Sequence, residues 1–219
     1  MKQALITGAG SGLGRALAFK YAKADYHIIL VGRNLKKLNT VKDELERDSL
    51  SAEVATCDIT SWDEVKHLSE KYTSIDLLIN NAGIGYFHTI DQLSKDEIDT
   101  MVDVNVNGLI YTTKLLLPAV LHAKGRILNI ISTAGLKGKV KESAYCASKF
   151  AQRGFTESLQ KELANESISI SAVYMGGMNT PFWNDSDYMS DPSVLPSPES
   201  YANQIIEQDD GREEIHVEK

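Results

Sequence analysis

The chain has 219 residues, 42% hydrophobic and 24% charged, with 23 Lys and Arg against 30 Asp and Glu and a formal net charge of −7. Its length suits one α/β domain (1–219) better than two small ones, and its acidity argues against a nucleic-acid partner, since phosphate binding needs clustered basic side chains. The two cysteines and five histidines show neither a disulfide framework nor metal-ligand spacing, no apolar run is expected to span a membrane, and the N-terminus turns glycine-rich instead of forming a signal peptide, so the expected setting is the cytoplasm.

Strand and helix patterns alternate along the chain. "QALITG" (3–8) is a short apolar run ending in glycine, suited to a strand buried on both faces. In 13–25, Leu13, Leu17 and Tyr21 recur every four residues and mark a helix face. "HIILVGR" (27–33) is a second buried strand. Residues 34–49 place Leu35, Leu38, Val41 and Leu45 at helical spacing, with Lys36, Lys37 and Lys42 as a solvated face. Alternation in 52–58 indicates a strand. Residues 61–72 read as a helix capped by Ser61 with an acidic first turn, and 75–83 as a strand running into a turn. A long helical region over 94–123 opens on a Ser94–Glu97 capping box, and Pro118 is expected to bend or divide it near its end. A strand (125–132), a helix (143–165), a strand (168–176), a loop (177–198) with four of the five prolines, a helix (198–208) and a last, edge strand (214–219) complete the chain. Such alternation predicts an α/β fold: a doubly wound parallel sheet of seven strands covered by helices on both faces. Ligands in such sheets sit at the carboxyl ends of the strands, which marks the loops after residues 7, 32, 57, 79, 131 and 174.

"TGAGSGLG" (7–14) follows the first strand and opens the first helix. Glycine there permits a tight turn and lets backbone N–H groups approach a pyrophosphate at the positive end of the helix. Its spacing differs from GxGxxG and from the P-loop. With "CDIT" at 57–60, "NNAG" at 80–83, Asn105 in "VNVNG", Ser132, and the Tyr145/Lys149 pair in "SAYCASKF", the chain resembles the short-chain dehydrogenase/reductase family over nearly its whole length. The resemblance implies a Rossmann-like fold and hydride exchange with a nicotinamide cofactor. It implies cofactor contacts from Thr7, Gly8, Gly12, Leu13 and Gly14, from Asp58 beside the adenine, and from Asn81, Ala82 and Gly83 in the turn after the fourth strand. It also implies a catalytic set of Asn105, Ser132, Tyr145 and Lys149.

The second strand ends in "LVGRN", with Gly32 where an NAD-selective acid would stand and Arg33 next to it. An acid repels a 2′-phosphate, whereas an arginine attracts it and forks onto its oxygens. The expected cofactor is therefore NADP(H) in preference to NAD(H), with Arg33 as a solvated loop charge the alternative.

A tyrosine titrates near about 10 and is a poor base at neutral pH, but a nearby cation favours its phenolate. Lys149, four residues on, shares a helix face with Tyr145 and is expected to pull the phenol down. Tyr145 then exchanges a proton with the substrate oxygen, while the Ser132 hydroxyl hydrogen-bonds the same atom. By resemblance, Lys149 also holds the nicotinamide ribose, and Asn105 binds a water that links the lysine to solvent. Cys146 lies about 100° round the helix from Tyr145 and reads as packing.

The family's Pro-Gly pair after the sixth strand is here Met175-Gly176, which predicts a looser loop; Gly176 and Thr180 remain, the latter implied to bond the carboxamide. Residues 177–208 are expected to form the substrate-loop region, with Phe182, Trp183, Tyr188, Met189 and Leu195 as a lid over an apolar pocket or as packing anchors. The resemblance implies a small carbonyl or alcohol substrate and a homodimer through helices 94–123 and 143–165, with a tetramer open. The expected activity is carbonyl reduction. The rivals are a non-catalytic NADP(H)-binding sensor and a nucleotide-sugar epimerase or dehydratase, the latter needing a larger C-terminal substrate domain.

Overall fold

The computed structural model describes residues 1–183 and 188–217. Strands β1 (Lys2–Thr7), β2 (Tyr26–Gly32), β3 (Ala52–Thr56), β4 (Leu77–Asn80), β5 (Arg126–Ile130), β6 (Ser169–Tyr174) and β7 (Glu214–His216) form one sheet in the order β3-β2-β1-β4-β5-β6-β7. Every pairing is parallel. The order reverses between β1 and β4, so the crevice at their carboxyl ends is the place for a ligand.

Helices α1 (Gly12–Lys23), α2 (Leu35–Arg47), α3 (Trp62–Lys71), α4 (Lys95–Val102), α5 (Gly108–Ala123), α6 (Ser143–Glu162) and α7 (Pro198–Gln208) cover the two faces. Successive strand residues point to opposite sides. Ala4 and Ile6 of β1 join Leu17, Leu38 and Tyr201 from α1, α2 and α7. Leu5 joins Val65, Leu116 and Leu159 from α3, α5 and α6. Each such aliphatic side chain, taken fully out of water, contributes about 1.5–3 kcal/mol.

The Ser94–Glu97 capping box forms as read from the sequence, and Ser61 accepts from the Glu64 N–H. Pro118 does not divide the helix, because α5 runs on to Ala123 and ends on left-handed Lys124. The irregularity falls earlier, in a π-helical turn over Asp103–Asn107 that separates α4 from α5 and holds buried Asn105. Such turns break the regular ladder and recur at functional sites. No apolar run was expected to span a membrane, yet by length and composition alone Lys95–Ala123 is long and apolar enough to cross one. In the fold its Leu116 and Val120 are buried with Leu5 and Ile29.

At the end of the sheet away from the ligand crevice, α7 ends in a polar clamp. Asp209 accepts from the Tyr21 hydroxyl at 2.7 Å and pairs with Arg126 at 2.8 Å, with its side chain only 2% exposed. This ties α7 to α1 and β5.

Candidate active site

The carboxyl ends of β1 and β4 are locked together by side chains. Thr7 Oγ1 accepts from the Asn81 and Ala82 N–H groups at 3.0 and 3.1 Å. Asn81 Nδ2 donates back to the Thr7 carbonyl at 2.9 Å. The glycine turn packs against this lock. A Cβ on Gly8 would stand 2.9 Å from Ala82 Cα, and one on Gly14 would stand 2.4 Å from the Gly8 carbonyl oxygen. Only glycine fits either position. The cap residue Ser11 makes no side-chain bond to α1, and Ser11, Gly12 and Leu13 line a cleft of about 500 Å³. The positive end of a 12-residue helix thus borders a space lined by backbone, the arrangement that favours an anion. Thr180 crosses over this turn, its Cγ2 lying 3.1 Å from where a Gly12 Cβ would be.

One end of the cleft is bordered by Arg33, Asp58 and Ile59. Arg33 is 68% exposed, and its guanidinium stands 3.9 Å from Asp58 Oδ2. The other Asp58 oxygen accepts from the Thr60 N–H and hydroxyl. Lys37, read from the sequence as part of a solvated face, lines the same end. Its backbone N–H caps onto Asn34, so the first turn of α2 carries it beside Gly10. A basic residue four positions after Arg33 was the available signal.

The other end holds Ser132, Tyr145 and Lys149. Ser132 follows β5 with φ 152° and ψ 157°, a region that costs a non-glycine residue about 1–3 kcal/mol and recurs at functional sites. Its hydroxyl accepts from the Ala134 N–H at 3.1 Å. Tyr145 and Lys149 come from the first turns of α6, with the Lys149 amine 5.7 Å from the Tyr145 ring centre. Asn105 belongs to the set by position, but its side chain turns to structure. Its Oδ1 accepts from the Ile84 N–H, and its Nδ2 donates to the Ile84 carbonyl and to Ser148.

The electrostatics depart from expectation. Burial is the largest effect on Tyr145 and pushes its phenol above the ordinary value; the Ser132 hydrogen bond opposes it and Glu142 adds to it. Burial also pulls Lys149 down to about 7. The lysine was expected to lower the tyrosine. Instead, both sit where solvent is excluded, which penalises phenolate and ammonium alike. The Lys149 amine donates to Gln152 Oε1 at 2.8 Å and to the Ile130 carbonyl at 3.5 Å.

Beyond Tyr145 lies an aromatic wall. Phe87 packs edge-on to Tyr145 at 5.2 Å, stacks on Tyr188 at 5.0 Å, and meets Phe182 and Trp183 at 5.8 and 5.2 Å. Met189 and Leu195 pack onto the same cluster. Of the expected substrate loop 177–208, residues 184–187 lie outside the described residues. The expected slack at Met175 is not evident in its contacts: its carbonyl accepts from the Thr133 N–H at 2.9 Å and its side chain packs on the core. Cys146 is buried in the aromatic cluster.

Phe87, Glu142 and Lys139 escaped sequence reading. Glu142 accepts from the Tyr188 hydroxyl at 2.9 Å and lies 3.8 Å from the Lys139 amine, and all three line the cleft near Ser132. They reach it from loops whose course no local pattern encodes.

A family model described as short chain dehydrogenase matches residues 2–190. An uncharacterised oxidoreductase of Staphylococcus aureus strain MW2 is 33% identical over 210 residues, covering 92% of this chain and 90% of the relative. A counterpart in Staphylococcus saprophyticus is 32% identical over 213 residues, covering 93% and 91%. Among solved structures, a short-chain dehydrogenase/reductase from Vibrio parahaemolyticus is similar at a TM-score of 0.85 and 33% identity, covering 98% of this chain and 95% of that one. An actinorhodin polyketide ketoreductase with NADPH is similar at 0.89 and 29%, covering 99% and 95%.

Proposed function

The chain belongs to the short-chain dehydrogenase family of oxidoreductases, and from that premise we propose that it reduces a carbonyl group, or oxidises the matching alcohol, with NADP(H). The observation that carries this reading is the convergence of Ser132, Tyr145 and Lys149 with the glycine turn on one cleft. The cleft suits a dinucleotide, because the start of α1, with Ser11, Gly12 and Leu13 and no side-chain cap bond, borders it. The N–H groups at the start of α1 would hold the pyrophosphate. Asp58 would border the adenine, and Asn81, Ala82 and Gly83 the middle of the cofactor. Tyr145 and Lys149 would serve the nicotinamide ribose, and Gly176 and Thr180 its carboxamide. Arg33 and Lys37 border the end of the cleft where a 2′-phosphate would lie, and the preference for NADP(H) rests on those two side chains.

When bound, the nicotinamide supplies or takes the hydride. The protein manages the proton. Burial keeps the Tyr145 phenol protonated at neutral pH, which suits a donor to the carbonyl oxygen in the reducing direction. The Ser132 hydroxyl hydrogen-bonds that oxygen as charge develops on it. Lys149, close to half protonated near neutral pH, favours the phenolate left behind. Asn105 braces the β4 loop through Ile84 and α6 through Ser148. Phe87, Phe182 and Trp183 exclude water and favour a carbonyl with an apolar or aromatic substituent. Exposed Val102 and Phe150, on α4 and α6, support a homodimer through these helices.

The test is NADPH oxidation over a panel of aldehydes, ketones, diketones and quinones. Tyr145→Phe should lower kcat by about 100-fold or more, the range of one general acid. Tight NADPH binding with no turnover of any carbonyl would replace the reading with that of a dinucleotide sensor.

A further inference from the structure

A residue three positions after another on a helix shares its face, and Gln152 follows Lys149 by three. Gln152 is only 3% exposed, and burying an amide is costly unless its polar atoms are bonded. Both ends are. Oε1 accepts from the Lys149 amine at 2.8 Å, and Nε2 donates to the Asn105 carbonyl at 2.6 Å. Only one orientation of the amide works: a half-turn would set NH2 against the amine and oxygen against the carbonyl oxygen. The main chain of Gln152 is held too. Its carbonyl accepts from the Thr156 hydroxyl, which accepts from Asn129, whose Oδ1 accepts from Asn80 on β4.

Building on the catalytic reading above, we propose that Gln152 is a positioning residue for Lys149, joining the lysine to the π turn by a fixed amide. A primary amide passes no proton between amine and carbonyl at neutral pH. Gln152 therefore holds the amine in place without itself carrying its proton. The groups against Lys149 are Tyr145 on its own helix, Gln152, the Ile130 carbonyl of β5, and the backbone of Gly83, where an added Cβ would stand 3.6 Å from Nζ. Of these only Tyr145 titrates, so Gln152, at 2.8 Å against 3.5 Å for the Ile130 carbonyl, is the nearer neutral acceptor that favours the ammonium against burial.

The experiment follows the Lys149 titration by NMR in protein labelled with 13C at lysine Cε, the signal being assigned by its loss in Lys149→Met. Gln152→Leu should lower the midpoint by about one pH unit or more, and Gln152→Glu should raise it. In NADPH-dependent reduction, Gln152→Leu should lower kcat about 10- to 100-fold, the span of a charge-assisted hydrogen bond, with KM for the carbonyl little changed. Gln152→Glu should recover part of that loss. An unmoved midpoint in folded Gln152→Leu and Gln152→Glu overturns the proposal; if the leucine variant does not fold, the glutamate variant alone decides it. The titration needs no turnover. A parent protein inactive on every carbonyl would refute the catalytic reading and leave the Gln152–Lys149 coupling to be scored by NMR.

Discussion

Replacing Lys149 by methionine should stabilise the protein at low pH while abolishing its activity. Burial pulls the folded-state lysine from 10.5 to about 7, so the folded chain binds fewer protons than the unfolded chain between those values. Stability therefore rises with pH across that window and is lowest below it, where the fold must bury an ammonium ion. At about 1.4 kcal/mol for each pH unit, the burden is about 5 kcal/mol near pH 6. It falls to about 2 kcal/mol near pH 9, where only the unfolded lysine remains charged. Methionine has a similar length and no charge, but it leaves Gln152 Oε1 without its donor, at a cost of about 1–3 kcal/mol. Near pH 6, Lys149→Met should thus be more stable than the parent by about 2–4 kcal/mol. Near pH 9 the advantage should shrink by about 3 kcal/mol. Urea unfolding of both proteins at the two pH values reads this directly. A gap that stays constant with pH, or widens toward pH 9, would refute the buried-ammonium argument.

Arg33→Asp should weaken NADPH binding about tenfold or more, with NADH binding changed far less; adding Lys37→Glu should deepen the NADPH loss. Fluorescence titration of both cofactors checks this, and equal losses for the two would remove the 2′-phosphate assignment. Gly14→Ala drives a Cβ to 2.4 Å from the Gly8 carbonyl oxygen, so it should cost about 1–3 kcal/mol of stability and lower dinucleotide affinity; an unchanged melting temperature would contradict the packing. Asp209→Asn removes the anion shared by Tyr21 and Arg126, and should cost about 1.5–3 kcal/mol without altering kcat, because the clamp lies away from the cleft. A fall in kcat with unchanged stability would count against that separation.

The sequence carried a large part of this. Strand and helix periods, the Ser61 cap and the Ser94–Glu97 box depend on neighbours within a few residues, so each was visible locally. The glycine turn was visible for the same reason: positive φ at Gly8 and Gly12 and the tight entry to α1 are local demands. The Tyr145/Lys149 spacing fixes a shared helix face wherever the helix lies. Other features arise only when distant segments meet. Lys37 faces the cleft because α2 packs beside the glycine turn, and Phe87 reaches Tyr145 across 58 positions of chain by way of a loop. Gln152 was one polar residue on a helix until the Asn105 carbonyl met it across 47 positions. The direction of the Tyr145 shift also belongs to the tertiary structure. Sequence spacing placed a cation near the phenol, whereas the exclusion of water, which is set by everything packed around both groups, decided that burial outweighs it.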